Sequence, residues 1–194
     1  FYGVYYLSKG MADPFSITNE PKISLDPTML PYYSGRSILR LFIAFFASLL
    51  FSVIYGYIAA KSVSARKILI PLLDILQSIP VLGFLSATII MFINWFPHSL
   101  MGVEIASIFA IFTSMAWNMT FSFYQSVLSE PEDLIEATKV LHLNSWQRFL
   151  RLDGPISIIG LIWNSMMSFG GAWFFLAASE AISVMGQDIQ LPGI

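Results

Sequence analysis

Long apolar runs alternate with short polar ones along this chain, and the runs set the expected architecture. Four of them, Leu41–Ala60, Ile75–Phe96, Ile105–Gln125 and Ile156–Ser179, contain no Asp, Glu, Lys or Arg. Each is at least ~20 residues long, the length of helix that crosses the hydrocarbon core. In lipid the backbone must satisfy its own hydrogen bonds, and runs this continuous are too long for barrel strands. The pattern predicts four transmembrane helices. Pro71 and Pro80 interrupt helical hydrogen bonding in the stretch leading into the second run, so an interfacial first part and a kink near Pro80 are expected there.

The polar stretches orient the spans. Ser8–Ser34, with Pro14, Pro21, Pro27 and Pro31, reads as an extramembrane loop. Lys61, Arg66 and Lys67 follow the first run with no acid nearby, which places that short loop in the cytoplasm. The turn PHSLMGVE has no Lys or Arg and belongs outside, whereas Arg36 and Arg40 fall on the wrong side for this scheme. Asp74 lies at the cytoplasmic edge, the segment after Gln125 returns to the cytoplasm, and Gly186–Ile194 is expected outside. FYGVYYL resembles the last turns of a helix and QLPGI a loop, so residues 1–194 are expected to be one membrane domain, incomplete at both ends.

Composition narrows the function. The chain of 194 residues is 56% hydrophobic and 11% charged, against about 25% charged in soluble domains. A net charge of -2 and the lack of a basic run give no footprint for nucleic acid. Without cysteine there is no disulfide framework and no thiolate metal site, and His98 and His142 lie in different loops. No nucleophile–base arrangement suggests an enzyme. No GxxxxGK[ST] phosphate loop occurs, so any ATP hydrolysis belongs to another polypeptide. No cofactor is expected.

One stretch is polar where the chain is otherwise greasy: EATKVLHLNSWQRFLRLDGP, Glu136–Pro155. Ser129-Glu130-Pro131-Glu132 fits a capping box, with Glu130, Glu132 and Asp133 at the favourable end of a helix dipole. Leu134, Ala137 and Leu141 recur at helical spacing, flanked by Val140. Asn144 or Ser145 caps a second helix whose apolar face is Trp146, Phe149 and Leu150. Arg148 and Arg151 fall in its last turn, and Asp153-Gly154-Pro155 breaks it before the final span. Such a helix pair lies on the membrane surface, packs under its own bundle, or serves as a rigid knob that passes motion to a cytoplasmic partner.

The stretch resembles the EAA loop of permease subunits of binding-protein-dependent ABC importers. Glu136, Ala137 and Thr138 occupy the first places of that pattern, Phe149 an aromatic place and Pro155 the closing one. His142 stands where the family usually has Gly, and Gly154 precedes Pro155 where Leu is common. SGRSILRLFIAFFASLLFSVIYGYIAAKS, LIPLLDILQSIPVLGFL, AWNMTFSFYQS and FFLAASEAISV are similar to the nitrate/sulfonate/taurine branch. The resemblance implies an all-α polytopic membrane helix bundle of the MetI-like permease fold, set in the inner or plasma membrane. It implies that residues 129–152 form a coupling helix on an ABC ATPase subunit, through Glu136, Ala137, Thr138, His142, Trp146, Phe149 and Pro155. It further implies a second permease subunit or fused module, and an extracytoplasmic solute-binding protein. The solutes of that branch are small anions such as nitrate, sulfonates, taurine and bicarbonate.

Polar groups inside the spans are candidates to line a path: Gln77, Ser78, Asn118, Thr120, Ser122, Asn164, Ser165 and Ser168. Their competing role is bonding between helices. Asn118 and Asn164 are the better candidates, because an amide is costlier to leave unpaired in lipid. Glu180, at the end of the last run, is either a solvated outer carboxylate or part of a gate. The remaining functional readings are an ion-coupled secondary transporter, disfavoured because ionisable residues are missing from the runs, and a membrane anchor module without a pore.

Overall fold

The computed structural model describes residues 2–9, 11, 26–97, 99–184 and 187–191. Most of the predicted Ser8–Ser34 loop, His98 and residues 192–194 lie outside them. The described chain is helical, closing on one short hairpin. Helix α1 is Tyr2–Lys9, in keeping with the helical character of the first residues. A single 3-10 turn, Pro27–Met29, leads into α2, Leu30–Lys61. Then come α3 (Val63–Ser78), α4 (Val81–Trp95), α5 (Met101–Leu128), α6 (Glu132–Val140), α7 (Ser145–Arg148) and α8 (Gly154–Glu180). Strands β1 (Ala181–Val184) and β2 (Gln187–Gln190) pair antiparallel, with Ala181 opposite Gln190.

Among the described residues, three segments are long and apolar enough to cross a membrane: Pro27–Lys61, Met101–Leu128 and Ser145–Glu180. The predicted second span, Ile75–Phe96, is not one helix. Proline does more than kink it: α3 ends at Ser78 and α4 restarts after Pro80, whose ψ of 117° is extended. Pro80 has no N–H to give, and it drives Ile79 out of the helical region. The resulting α4 has 15 residues and rises about 22 Å, less than the hydrocarbon thickness. Pro71, in contrast, is carried inside α3.

Two other boundaries differ from expectation. Helix α2 starts at Leu30, well before Leu41, and so takes Arg36 and Arg40 into the span. Asp153-Gly154-Pro155 does not break the chain. Phe149–Asp153 forms a π-helical turn that joins α7 to α8, with the Gly154 N–H bonded five residues back to the Phe149 carbonyl. Pro155 cannot donate, and one residue of extra register absorbs the loss. A Cβ at Gly154 would lie 2.9 Å from the Phe149 oxygen, so the turn requires glycine there.

The chain divides into two units, and α2, α5 and α8 each contribute to both. The first comprises Phe1–Ala47, Ile79–Ser114 and Gly170–Ile194. Its core is Leu85, Ile89, Leu100, Val103, Ala106, Ala110 and Leu191, with Ile90, Phe92 and Ile93 packed against it. Gly102 lets α5 approach the α4 backbone, since a Cβ there would sit 2.8 Å from the Phe92 oxygen. The hairpin is tied back by the Leu191 N–H, which donates to the Glu180 carbonyl at 2.9 Å.

The second unit comprises Ser48–Ser78 and Met115–Phe169. Small residues bring its helices together, as expected where lipid supplies no hydrophobic drive. A Cβ on Gly56 of α2 would fall 2.9 Å from the Phe123 ring and 3.3 Å from the Thr120 carbonyl of α5. Ser52 Oγ donates to the Ala116 carbonyl at 3.2 Å, and Thr120 Oγ1 lies 3.0 Å from Ser52 Oγ. Gly160 of α8 packs on Ser122 and Ser126, whose hydroxyls would lie 2.9 and 2.8 Å from an added Cβ.

Candidate functional site

The polar insert folds as two short helices with well-defined ends. Helix α6 begins after Pro131, which makes no side-chain cap; the predicted Ser129–Glu132 capping box is not formed, because Glu130 is turned inward. The helix ends in a Schellman turn: the Leu143 N–H donates to the Thr138 carbonyl and the His142 N–H to that of Lys139. This geometry needs a left-handed residue after the last helical one. His142 supplies it at φ 49°, with Nδ1 2.9 Å from the Val140 oxygen. Helix α7 carries a complete capping box: Asn144 Oδ1 accepts from the Gln147 N–H (2.8 Å), and Gln147 Oε1 accepts from the Asn144 N–H (3.1 Å).

Four charged groups hold this knob. Lys61, the last residue of α2, donates to Asp153 at 2.9 Å and to Glu130 at 3.4 Å. Arg148 donates to Glu130 at 2.9 Å and to Asp153 at 3.3 Å. The carboxylates are buried and the cations about a quarter exposed. The end of α2, the α5–α6 turn, α7 and the π turn are thereby locked together. Burial, then a hydrogen bond to Asp153, pushes the Glu130 carboxyl above its ordinary value. Arg66 caps α2 from the following turn, donating to the Ala59 and Ala60 carbonyls.

The exposed surface of the insert combines apolar side chains with Glu132, Asp133, Glu136 and Lys139. Glu136 and Ala137 are exposed, Val140 is 76% exposed, and Leu134, Leu141, Trp146 and Leu150 are also open. Thr138 is buried, with its hydroxyl on the Ile135 carbonyl. Trp146 stacks on Phe149, whose ring meets Tyr57 of α2 edge-on at 5.4 Å. Pro155 lies exposed at the second position of α8.

The candidate path residues do not form one cluster. Asn118 is exposed on α5. Ser122 and Asn164 both meet Gly160: Ser122 packs on it, and the Asn164 amide donates to its carbonyl at 3.2 Å. Gln77 and Ser78 are exposed at the end of α3, bonded to Asp74 and to the Ile75 carbonyl. Thr120 is buried in the α2–α5 contact, Ser165 is half-buried, and Ser168 is buried.

Glu180 is not solvated. In the first unit it accepts from Arg40 Nη1 at 2.6 Å and from Ser37 Oγ at 2.5 Å. Arg40 also holds Glu104 (2.7 Å), to which Arg36 is paired as well. All four charged side chains are nearly fully buried, so the spans do carry ionisable residues, contrary to expectation. They balance in sign and close on one another. The signal was present: two arginines one helical turn apart in an apolar helix demand carboxylates.

Apolar spans with a helix pair fastened to two of them define a polytopic helical membrane protein. Residues 48–192 match the family described as binding-protein-dependent transport system inner membrane component, and the chain belongs to that family. That family consists of membrane components of transport systems. Among similar proteins is the nitrate import permease protein NrtB of Leptolyngbya laminosa, 22% identical over 182 residues, which cover 88% of this chain and 61% of the relative. NrtB of Synechocystis sp. is 22% identical over 146 residues, covering 75% of this chain and 50% of the relative. The chain thus spans between half and about three-fifths of these curated relatives.

Proposed function

We propose that this chain is the permease domain of an ATP-driven importer for a small anion, with residues 129–152 as its cytoplasmic coupling element. The observation that carries this is the open face of the insert: Glu136 among Leu134, Ala137, Val140, Leu141 and Trp146, on a knob held by buried ion pairs. A helix pair leaving that much apolar surface open, yet rigidly fastened, suits a docking partner. The partner is an ABC ATPase subunit, whose closure on ATP would move α2 and α8 through Lys61 and Asp153. His142 shapes the loop, Phe149 anchors it on Tyr57, and Pro155 sets the π turn.

A second permease subunit or fused module, an extracytoplasmic solute-binding protein and the inner membrane complete this reading. Nitrate is the solute named for both relatives, and Glu180, neutralised by Arg40, would not repel an anion. Exposed Asn118, with Gln77 and Ser78, is the better set for its path; Ser122, Asn164 and Ser168 serve mainly as helix contacts. The buried quartet of Arg36, Arg40, Glu104 and Glu180 favours a structural lock over an ion-coupled carrier, because its charges cancel. The test is Glu136→Lys in the assembled transporter. ATP hydrolysis should persist while solute uptake falls at least tenfold, and unchanged uptake refutes docking through this face.

A further inference from the structure

Beside the insert lies an open cavity of about 400 Å³, lined by Val53, Ile54, Tyr57 and Ile58 of α2 and by Ser145, Trp146 and Phe149. We infer that this cavity holds an acyl chain of a membrane phospholipid, whose phosphate sits at Lys61. The lining is almost wholly apolar, so it offers a headgroup nothing and a hydrocarbon chain everything. Its wall continues the bilayer-facing side of α2: Leu50, Ile54 and Ile58, spaced one turn apart, are 63%, 53% and 47% exposed. That stripe is large and aliphatic, unlike helix–helix contacts in membranes, which use small residues. The same helix shows the difference: Gly56 meets α5 while Ile54 and Ile58 face outward.

The depth also fits. Lys61 ends α2 one turn beyond Tyr57, and Tyr, Trp and Lys mark the level of the headgroups. The Lys61 ammonium lies 5.8 Å from the centroid of the Tyr57 ring that lines the cavity. Two of its three N–H donors go to Glu130 and Asp153, which leaves one for an anionic oxygen. A volume of this size is typical of small-molecule sites. A bound chain would wedge between α2 and the Trp146–Phe149 pair, so that lipid forms part of the knob's footing.

The test uses the assembled transporter in nanodiscs of phosphatidylglycerol brominated on one acyl chain near the glycerol. The Trp146 fluorescence is isolated as wild type minus Trp146→Phe, since four other tryptophans contribute. The inference predicts strong quenching of that component, reduced several-fold by Val53→Phe, which puts a ring into the cavity. Ile58→Phe fills the opposite wall and should read the same if Val53→Phe does not assemble. Equal quenching in a filled variant would mean that Trp146 merely lies on the bilayer surface. No quenching in wild type would mean that protein or water occupies the cavity, and quenching that appears only in nanodiscs of the permease without its ATPase would assign the cavity to that partner. Each of these three results overturns the lipid assignment, and none depends on whether Glu136 couples transport.

Discussion

Removing the charge of Asp153 tests the fastening of the knob. Asp153 is fully buried and meets both Lys61 and Arg148, at 2.9 and 3.3 Å. Breaking a buried pair from one side costs roughly 3–5 kcal/mol, because the partner charge is left uncompensated. The two cations are about a quarter exposed, and water softens their loss, so Asp153→Asn should cost about 3 kcal/mol, the low end of that range. Lys61→Met should be destabilising too. The double variant removes one charge of each sign, and should be less damaging than the sum of the singles by about 1–3 kcal/mol. Reversible unfolding in mixed micelles, read by helical circular dichroism, measures all four corners of the cycle. Additive costs, or a loss below ~0.5 kcal/mol for Asp153→Asn, as for an ordinary surface substitution, would refute the argument that these charges bind the insert to α2 and α8.

Two further outcomes are expected. His142 at φ 49° carries about 1–2 kcal/mol of left-handed strain, and glycine relieves it but returns about 0.5–1 kcal/mol in chain entropy. His142→Gly should therefore be neutral to stabilising by about 1 kcal/mol, and His142→Val destabilising; thermal unfolding in detergent ranks the three proteins, and the reverse order contradicts the Schellman geometry. The raised Glu130 carboxyl makes the folded state bind more protons than the unfolded one between 4.5 and its higher folded value, so its contribution to stability falls as pH rises through that window. Wild type should gain on Glu130→Gln as pH drops through the same window and level off below 4.5; a gap in Tm that shrinks on acidification would show the sign to be wrong.

The architecture was legible where the chain speaks locally. Uncharged runs located α2, α5 and α8, apolar spacing located α6, and of the two caps weighed for the next helix, Asn144 or Ser145, Asn144 caps α7. Pro80 was read as a kink because the strength of a proline break depends on whether neighbours restore the lost bonds, which no single segment reveals. The two charge quartets were missed for a related reason. Arg40 and Glu180 are 140 residues apart, and Arg36 and Glu104 are 68 apart, so each looked like a flaw in its own segment. Asp153 was read as a helix breaker and Glu130 as a dipole partner, when both are buried counter-ions. Long-range pairing turned punctuation into fastening. The hairpin after Glu180 left no clear alternation to read.

Cysteine is absent from the chain, which makes Glu136→Cys a clean reporter of where the insert lies. The direct test of the account is maleimide labelling of that residue in inside-out and right-side-out membrane vesicles, using a reagent that cannot cross the bilayer. The account predicts labelling only in inside-out vesicles, and protection when the ATPase subunit is bound. Labelling from the external face would contradict it.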